Sequence, residues 1–249
     1  MIWVVGGTSD CKIIIKKLLD LDLKVLCTTA TEYGKKIIDS QKNLTVIAKP
    51  LNKEEMKNII NDYNIKIIID TTHPFAEEVT RNVVIVAQEL NTKYIRFERK
   101  SVDFDFARYF DSYKDIVEYL KNKEGNIFLT IGVKNLFEFV CVEKNRLFVR
   151  VLSKKESLEQ CEKLGLLPEN VISLKGVCSK ELNKALLNEF KIKYLVTKDS
   201  GEQGGLIEKI YAAKELDIEV LILKRPFLQY DEIYSDYDEI IEIVKNLVF

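Results

Sequence analysis

M-I-W-V-V-G-G-T-S-D, residues 1–10, is an apolar run that breaks on two glycines and passes into a polar helix start. Ile2–Val5 reads as a strand. Gly6 and Gly7 let the backbone come close to an anion, and the following helix offers free N–H groups and the positive end of its dipole. Thr8 and Ser9 add hydroxyl donors. The G-x-G-x-x-G spacing is absent. Two readings therefore stand: a diphosphate cradle, or a tight β–α turn with Ser9 as an ordinary N-cap.

Outward from this stretch the same unit recurs. Apolar runs at Ile2–Val5, Lys24–Cys27, Leu44–Ile47, Lys66–Asp70 and Tyr94–Phe97 alternate with helical patterns at Asp10–Leu19, Asn52–Asp62 and Phe75–Leu90. Asn52 is a capping residue with acidic residues behind it, and Pro74 suits the first turn of a helix. Continuous apolar strands imply a sheet covered on both faces. Strand–helix alternation implies a parallel, doubly wound one. The pattern then restarts. Phe106–Phe110 reads as a crossover strand or linker and Ser112–Asn122 as a helix. Asn126–Thr130, Leu147–Leu152, Val171–Leu174, Lys193–Thr197 and Glu219–Leu223 form a second set of strands, closed by a helix over Ser235–Val248. The predicted fold is α/β: two Rossmann-like doubly wound domains with mostly parallel sheets and a cleft between them, divided as residues 1–98 and 99–249.

Composition narrows the chemistry. The 249 residues are 47% hydrophobic and 31% charged, which supports well-buried cores and argues against disorder. Lys+Arg is 38 against 39 Asp+Glu, a net charge of −1. General nucleic-acid binding thereby loses its electrostatic footprint, while a local basic cleft for an acidic small molecule stays open. Five scattered cysteines without C-x-x-C disfavour a disulfide framework or a zinc site, and a single histidine, His73, excludes a multi-His metal site. No metal is expected. No apolar run approaches the roughly 20 residues of a membrane helix. The opening shows neither a basic n-region nor a cleavage site, so a cytoplasmic protein without membrane partners is expected.

Ligands in open α/β sheets bind beyond the carboxyl ends of the strands, so every strand exit is a candidate site. C-T-T-A-T-E-Y-G (27–34) places Thr28, Thr29 and Thr31 where an NAD-selective domain usually has an acid. Hydroxyls donate to a 2′-phosphate that an acid would repel, which leans towards NADPH over NADH. In D-T-T-H-P-F-A-E-E (70–78), Thr71 and Thr72 can edge a cofactor cleft, and His73 reads as a positioned structural or binding residue rather than a catalyst. Y-I-R-F-E-R-K (94–100) offers Arg96 and Arg99 for bidentate carboxylate binding or for an ion pair with Glu98. F-L-T-I-G-V-K-N-L (128–136) repeats the strand–glycine–helix logic with Thr130, Gly132 and Lys134, and reads equally as a site for an acidic group or as a simple β–α turn. L-V-T-K-D-S-G-E-Q-G-G-L-I-E-K (195–209) is the densest polar stretch in the chain. There Thr197, Lys198, Asp199 and Ser200 leave a strand, and Gly201, Gly204 and Gly205 surround the turn before a helix over Leu206–Leu216. That many functional groups at a strand end point to a ligand site.

Other chemistries fail on spacing. Tyr-x-x-x-Lys occurs at Tyr119–Lys123, far from any strand exit, and at Tyr194–Lys198, along a strand and so roughly 13 Å apart. A Walker A loop, a G-x-S-x-G elbow and H-E-x-x-H are absent.

Taken in order, G-G-T-S-D, A-T-E-Y-G (30–34), D-T-T-H-P-F-A (70–76), Y-I-R-F-E-R (94–99) and T-K-D-S-G-E-Q-G-G-L-I-E-K (197–209) resemble the precorrin-6A reductase family of cobalamin biosynthesis, including its cobalt-precorrin-6A reductases. The resemblance runs through essentially the whole chain, although residues 105–190 match by pattern only. The family's acid and arginine after G-G-T-x stand here as Asp10 and Lys12. The resemblance implies two Rossmann-like domains that use NADPH or NADH to reduce one double bond of precorrin-6A, or its cobalt form, to the 6B product. Gly6, Gly7, Thr8, Ser9, Thr29, Thr31, Thr72 and His73 would then hold the cofactor. Arg96, Arg99, Thr130, Gly132, Lys134, Lys198, Ser200, Gly201, Gly204 and Gly205 would meet the acidic tetrapyrrole, whose carboxylates suit the four cations among them. Hydride transfer needs no side-chain nucleophile, and Asp199, Lys198 or an ordered water is the expected proton donor. Readings from other classes are a non-enzymatic NAD(H)-sensing module and an S-adenosylmethionine-dependent methyltransferase built on Gly6–Ser9.

Overall fold

A strand that is apolar on both sides can be stable only between two layers of helix, and the chain supplies those layers twice. The structure is a computed structural model that describes residues 1–30, 41–174, 176–201, 205–228, 230 and 232–248. In chain order it begins with β1 (Ile2–Val5), α1 (Asp10–Leu19), β2 (Val25–Thr29), β3 (Leu44–Ala48), α2 (Lys53–Asp62), β4 (Ile67–Asp70), α3 (Glu77–Glu89) and β5 (Lys93–Phe97). There follow β6 (Arg108–Phe110), α4 (Tyr113–Leu120), β7 (Asn126–Leu129), β8 (Leu147–Val151), α5 (Lys155–Lys163), β9 (Val171–Ser173), α6 (Lys180–Glu189) and β10 (Ile192–Lys198). The chain closes with α7 (Leu206–Lys214), β11 (Glu219–Leu223), β12 (Ile233–Tyr234) and α8 (Tyr237–Val248).

Both sheets have six strands and are parallel throughout. Their orders are β12-β5-β4-β1-β2-β3 and β6-β11-β10-β7-β8-β9. In the first, Val5 is level with Thr28 of β2 and Asp70 of β4, so three strand exits open side by side. The strand period of two sorts the core. Ile2, Val4, Val25, Cys27, Ile67 and Ile69 pack with α1 and α8, through Ile14, Leu18, Ile240 and Val244. Trp3, Val5, Leu26 and Ile68 face the other way onto Met56 and Ile60 of α2 and Val83 and Val86 of α3. In the second sheet, Phe128, Leu195, Val220 and Ile222 pack with Leu187 of α6 and Leu206, Ile210 and Ala213 of α7.

Three expectations are corrected. The second domain does not run to residue 249: one unit is Met1–Lys100 with Pro226–Phe249, the other Ser101–Arg225. The returning chain adds β12 beside β5 and packs the closing helix on α1, because that helix's apolar stripe is part of the first core. β12 itself escapes the sequence pattern, being two residues long. The third helix starts at Glu77 rather than Phe75, since the Ala76 N–H turns back to the His73 carbonyl and the Phe75 N–H to the His73 ring. The glycine loop after β7 leads into a 3₁₀ helix, Val133–Phe139, rather than an α-helix. Thr31 and Gly204 lie outside the described residues.

Candidate active site at the strand exits

β1 lies between β2 and β4, so its exit is the first sheet's topological switch point, where ligands of such sheets collect. The glycines belong there for a packing reason. A Cβ on Gly6 would come 3.1 Å from the Thr28 carbonyl oxygen and 3.2 Å from Thr29 Cγ2; one on Gly7 would come 3.3 Å from Thr72 Cα. Backbone hydrogen bonds tie the three exits together. The Gly6 N–H donates to the Thr28 carbonyl at 2.8 Å, and the N–H and hydroxyl of Thr71 both donate to the Val5 carbonyl, at 2.9 and 2.8 Å. Gly6, Gly7, Thr29, Thr72 and His73 are thus brought to one place. Ser9 occupies the N-cap position of α1 with helical dihedrals and without a side-chain cap hydrogen bond. The Phe75 N–H donates to His73 Nδ1 at 3.2 Å, which leaves the ring proton on Nε2.

Arg96 makes the ion pair with Glu98 that is one of its two readings from sequence, and a second one with Asp70. It is fully buried and ion-paired to Asp70 at 2.9 Å, and it donates to the Thr72 hydroxyl (2.9 Å), the Thr72 carbonyl (3.0 Å) and Glu98 (3.2 Å). Its fork is occupied, so it shapes the Thr72–His73 turn instead of meeting a substrate carboxylate. Asp70 also accepts from the Thr72 N–H and from Tyr94 Oη, each at 2.9 Å. Burial, then the Asp70 charge, push the Tyr94 phenol up, which keeps it a donor. Arg99 reaches the glycine loop: it bonds Asp10 at 2.8 Å and Ser9 Oγ at 3.1 Å. Asp10 also accepts from Tyr237 of α8 at 2.7 Å, and Thr8 Oγ1 lies 2.8 Å away. Tyr237 and Asp10, unassigned from sequence, therefore fix the start of α1.

In the second sheet the switch point falls at β7, between β10 and β8. Thr130 leaves β7, its hydroxyl 3.2 Å from the Val196 carbonyl; Gly132 follows at φ 82° with open space around it, and Lys134 is exposed. Lys198, Asp199, Ser200 and Gly201 leave β10. Asp199 is buried and filled as an acceptor. Arg225 Nε lies 2.9 Å from Oδ2 and its Nη2 donates to Oδ1 at 3.2 Å; Ser101 donates at 2.6 Å and the Gly201 N–H at 3.1 Å. A carboxylate so held anchors the loop. Burial pulls the Lys198 ammonium below its ordinary value.

Sequence reasoning passed over Lys209, which lies inside the quoted polar stretch. It is 5% exposed, and its Nζ donates to Thr197 Oγ1 at 3.0 Å, with Thr130 Oγ1 at 3.5 Å. A signal existed: with Leu206, Ile210 and Ala213, a lysine at 209 falls on the buried stripe of its helix.

A Rossmann-like sheet with a glycine exit at its first-strand switch point, followed by a helix N-terminus, is the construction of dinucleotide-binding proteins. The cradle that a Cβ at Gly6 or Gly7 would fill fits such a cofactor. The family model for precorrin-6x reductase CbiJ/CobK matches residues 1–245, and the chain belongs to that family, whose members perform a reduction in cobalamin biosynthesis. A cobalt-precorrin-6A reductase of Methanocaldococcus jannaschii is 40% identical over 98% of both chains, and one of Priestia megaterium is 33% identical over 99% of this chain and 98% of its own. The solved structure of CobK precorrin-6A reductase superposes with a TM-score of 0.82 at 20% identity, covering 98% of this chain and 96% of that one, which shows the shared fold.

Proposed function

We propose that the chain reduces one carbon–carbon double bond of precorrin-6A or cobalt-precorrin-6A, giving the 6B product, with NADPH preferred to NADH. The observation that supports this most is the glycine exit at the first switch point within a full-length family match. The nicotinamide, when bound, supplies the hydride. Gly6, Gly7, Thr8 and Ser9 would take the diphosphate against the α1 N-terminus, with Thr72 and His73 on the neighbouring exit. The preference for NADPH rests on Thr29 at the end of β2; Thr28 is engaged by Trp3 Nε1 at 2.9 Å. The acidic tetrapyrrole would be met by Lys134, Lys198, Thr130, Gly132 and the Ser200–Gly201 backbone. Hydride addition to one ring carbon leaves its neighbour needing a proton, and Lys198, lowered by burial, would donate it.

The test is to mix the protein with cobalt-precorrin-6A and NADPH and follow the nicotinamide absorbance. One cofactor oxidised per macrocycle reduced is expected, with NADH slower; an unchanged absorbance with both nucleotides rejects the reading. Lys198→Met is expected to lower kcat by about 10²-fold or more, as loss of a general acid does, with NADPH affinity unchanged.

A further inference from the structure

Lys209 is a buried ammonium to which the protein offers hydroxyls and, among the described residues, no carboxylate partner. Its surroundings follow from the strand period. Phe128, Phe148 and Leu195 line the sheet face covered by α6 and α7. Two residues further along each strand, the same face presents Thr130, Arg150 and Thr197. The β7 pairings, Leu129 with Val196 and with Val149, set these three in one row across the switch point. Arg150 is no counter-ion: its guanidinium donates to Asn183 at 2.9 Å, and burial holds it below its ordinary value. The N-terminus of α7 adds its positive dipole end. The other titratable groups around Lys209 are Lys198, Glu208 and the Cys178 thiol. A row of cations and hydroxyl groups at a switch point, with no ion pair to Lys209 among the described residues, suits an anion. Gly132, at the β7 exit, has open space around it.

We propose that the β7/β10 exit is a carboxylate-binding subsite built on Lys209, and that an acid arm of the macrocycle is the counter-ion that the described residues do not supply. This rests on the substrate class proposed above. It adds a specific consequence, because desolvation, with Arg150 and Lys198, lowers the empty Lys209 to about 7. A docking carboxylate favours the charged form, so binding near neutral pH takes up a proton and weakens as the pH rises.

The probe is uroporphyrin III, a tetrapyrrole octa-acid, titrated by fluorescence against wild type and Lys209→Met at about pH 6 and about pH 8.5, on either side of the lowered lysine. Wild type is expected to bind at least about tenfold tighter at the lower pH, and Lys209→Met to lose that advantage, the scale of one charge-assisted hydrogen bond. NADPH affinity should stay within about twofold, since its cradle lies in the other unit, and this also reports that the variant is folded. Equal porphyrin affinity and equal pH dependence in wild type and Lys209→Met overturn the proposal. A shared loss of porphyrin and NADPH binding shifts the decision to Lys209→Gln and to calorimetry of wild type in two buffers, where absence of proton uptake overturns it. Failure of cobalt-precorrin-6A turnover alongside intact, Lys209-dependent porphyrin binding would instead count against the reductase reading alone.

Discussion

Asp70 and Arg96 meet because β4 and β5 pair with those two residues in register. The sequence shows an arginine near a strand end, equally a ligand hook or half of an ion pair. The neighbouring strand decides, and strand order is not written locally. Removing the guanidinium strands a buried carboxylate, so Arg96→Met is expected to cost about 3–5 kcal/mol in chemical denaturation. The double variant Arg96→Met with Asp70→Asn should recover most of it. A ligand hook would behave oppositely, losing substrate affinity at constant stability. Gly7 is the contrasting residue, because a glycine pair after the first strand marks a close approach of backbone in the sequence alone. The structure adds that the Thr72 backbone fills the space a side chain would need. Gly7→Val should weaken NADPH binding by about tenfold or more in a fluorescence titration, the scale on which one misplaced charged hydrogen bond acts; unchanged affinity would remove the loop from the cofactor site.

At the scale of elements, most strands and helices were visible because their apolar runs and helical stripes are long. What stayed hidden is the return of the chain at Pro226. A two-residue strand has no periodicity, and an amphipathic helix shows that one face is buried without showing against what. The returning segment bears on the site through Tyr237 at the start of α8, whose hydroxyl donates to Asp10 at 2.7 Å and whose ring stacks on Phe97 with centroids 4.7 Å apart. Tyr237→Phe keeps the stack and deletes the hydrogen bond. A net hydrogen bond of about 1 kcal/mol corresponds to roughly a fivefold rise in the NADPH dissociation constant if Asp10 sets the glycine loop. The melting temperature should fall by only about 2–4 °C, the shift that about 1 kcal/mol gives a chain of this size. A loss of stability without a change in affinity would make the contact structural only.

Over the whole molecule, the two units repeat one plan. In each, the first long strand of the central group sits at a switch point, and the strand beside it ends in a buried aspartate held by an arginine: Asp70 by Arg96, Asp199 by Arg225. The matching I-K-strand-D outlines of residues 64–70 and 191–199 hint at this, but the arginines that complete it come from other parts of the chain. Lys209 has no counterpart in that pairing, and its effect should show in global stability. Its ordinary value is 10.5 and its folded value about 7. Below about pH 7 both the folded and unfolded chains carry the proton, and the cost of burying the charge is present in full. Between about 7 and 10.5 the unfolded chain binds more protons, so unfolding becomes harder as the pH rises. Lys198, lowered in the same direction, reinforces the trend, while the raised Tyr94 acts only above the ordinary phenol range. The melting temperature without ligand should therefore climb from about pH 6.5 to about pH 9.5, and Lys209→Met should flatten the climb by raising its acid end. Saturating carboxylate ligand should do the same to wild type, because it stabilises the charged lysine where the charge is otherwise uncompensated. A variant that melts with the wild-type slope would show that the ammonium is already neutralised within the fold, leaving no charge for an acid arm to meet.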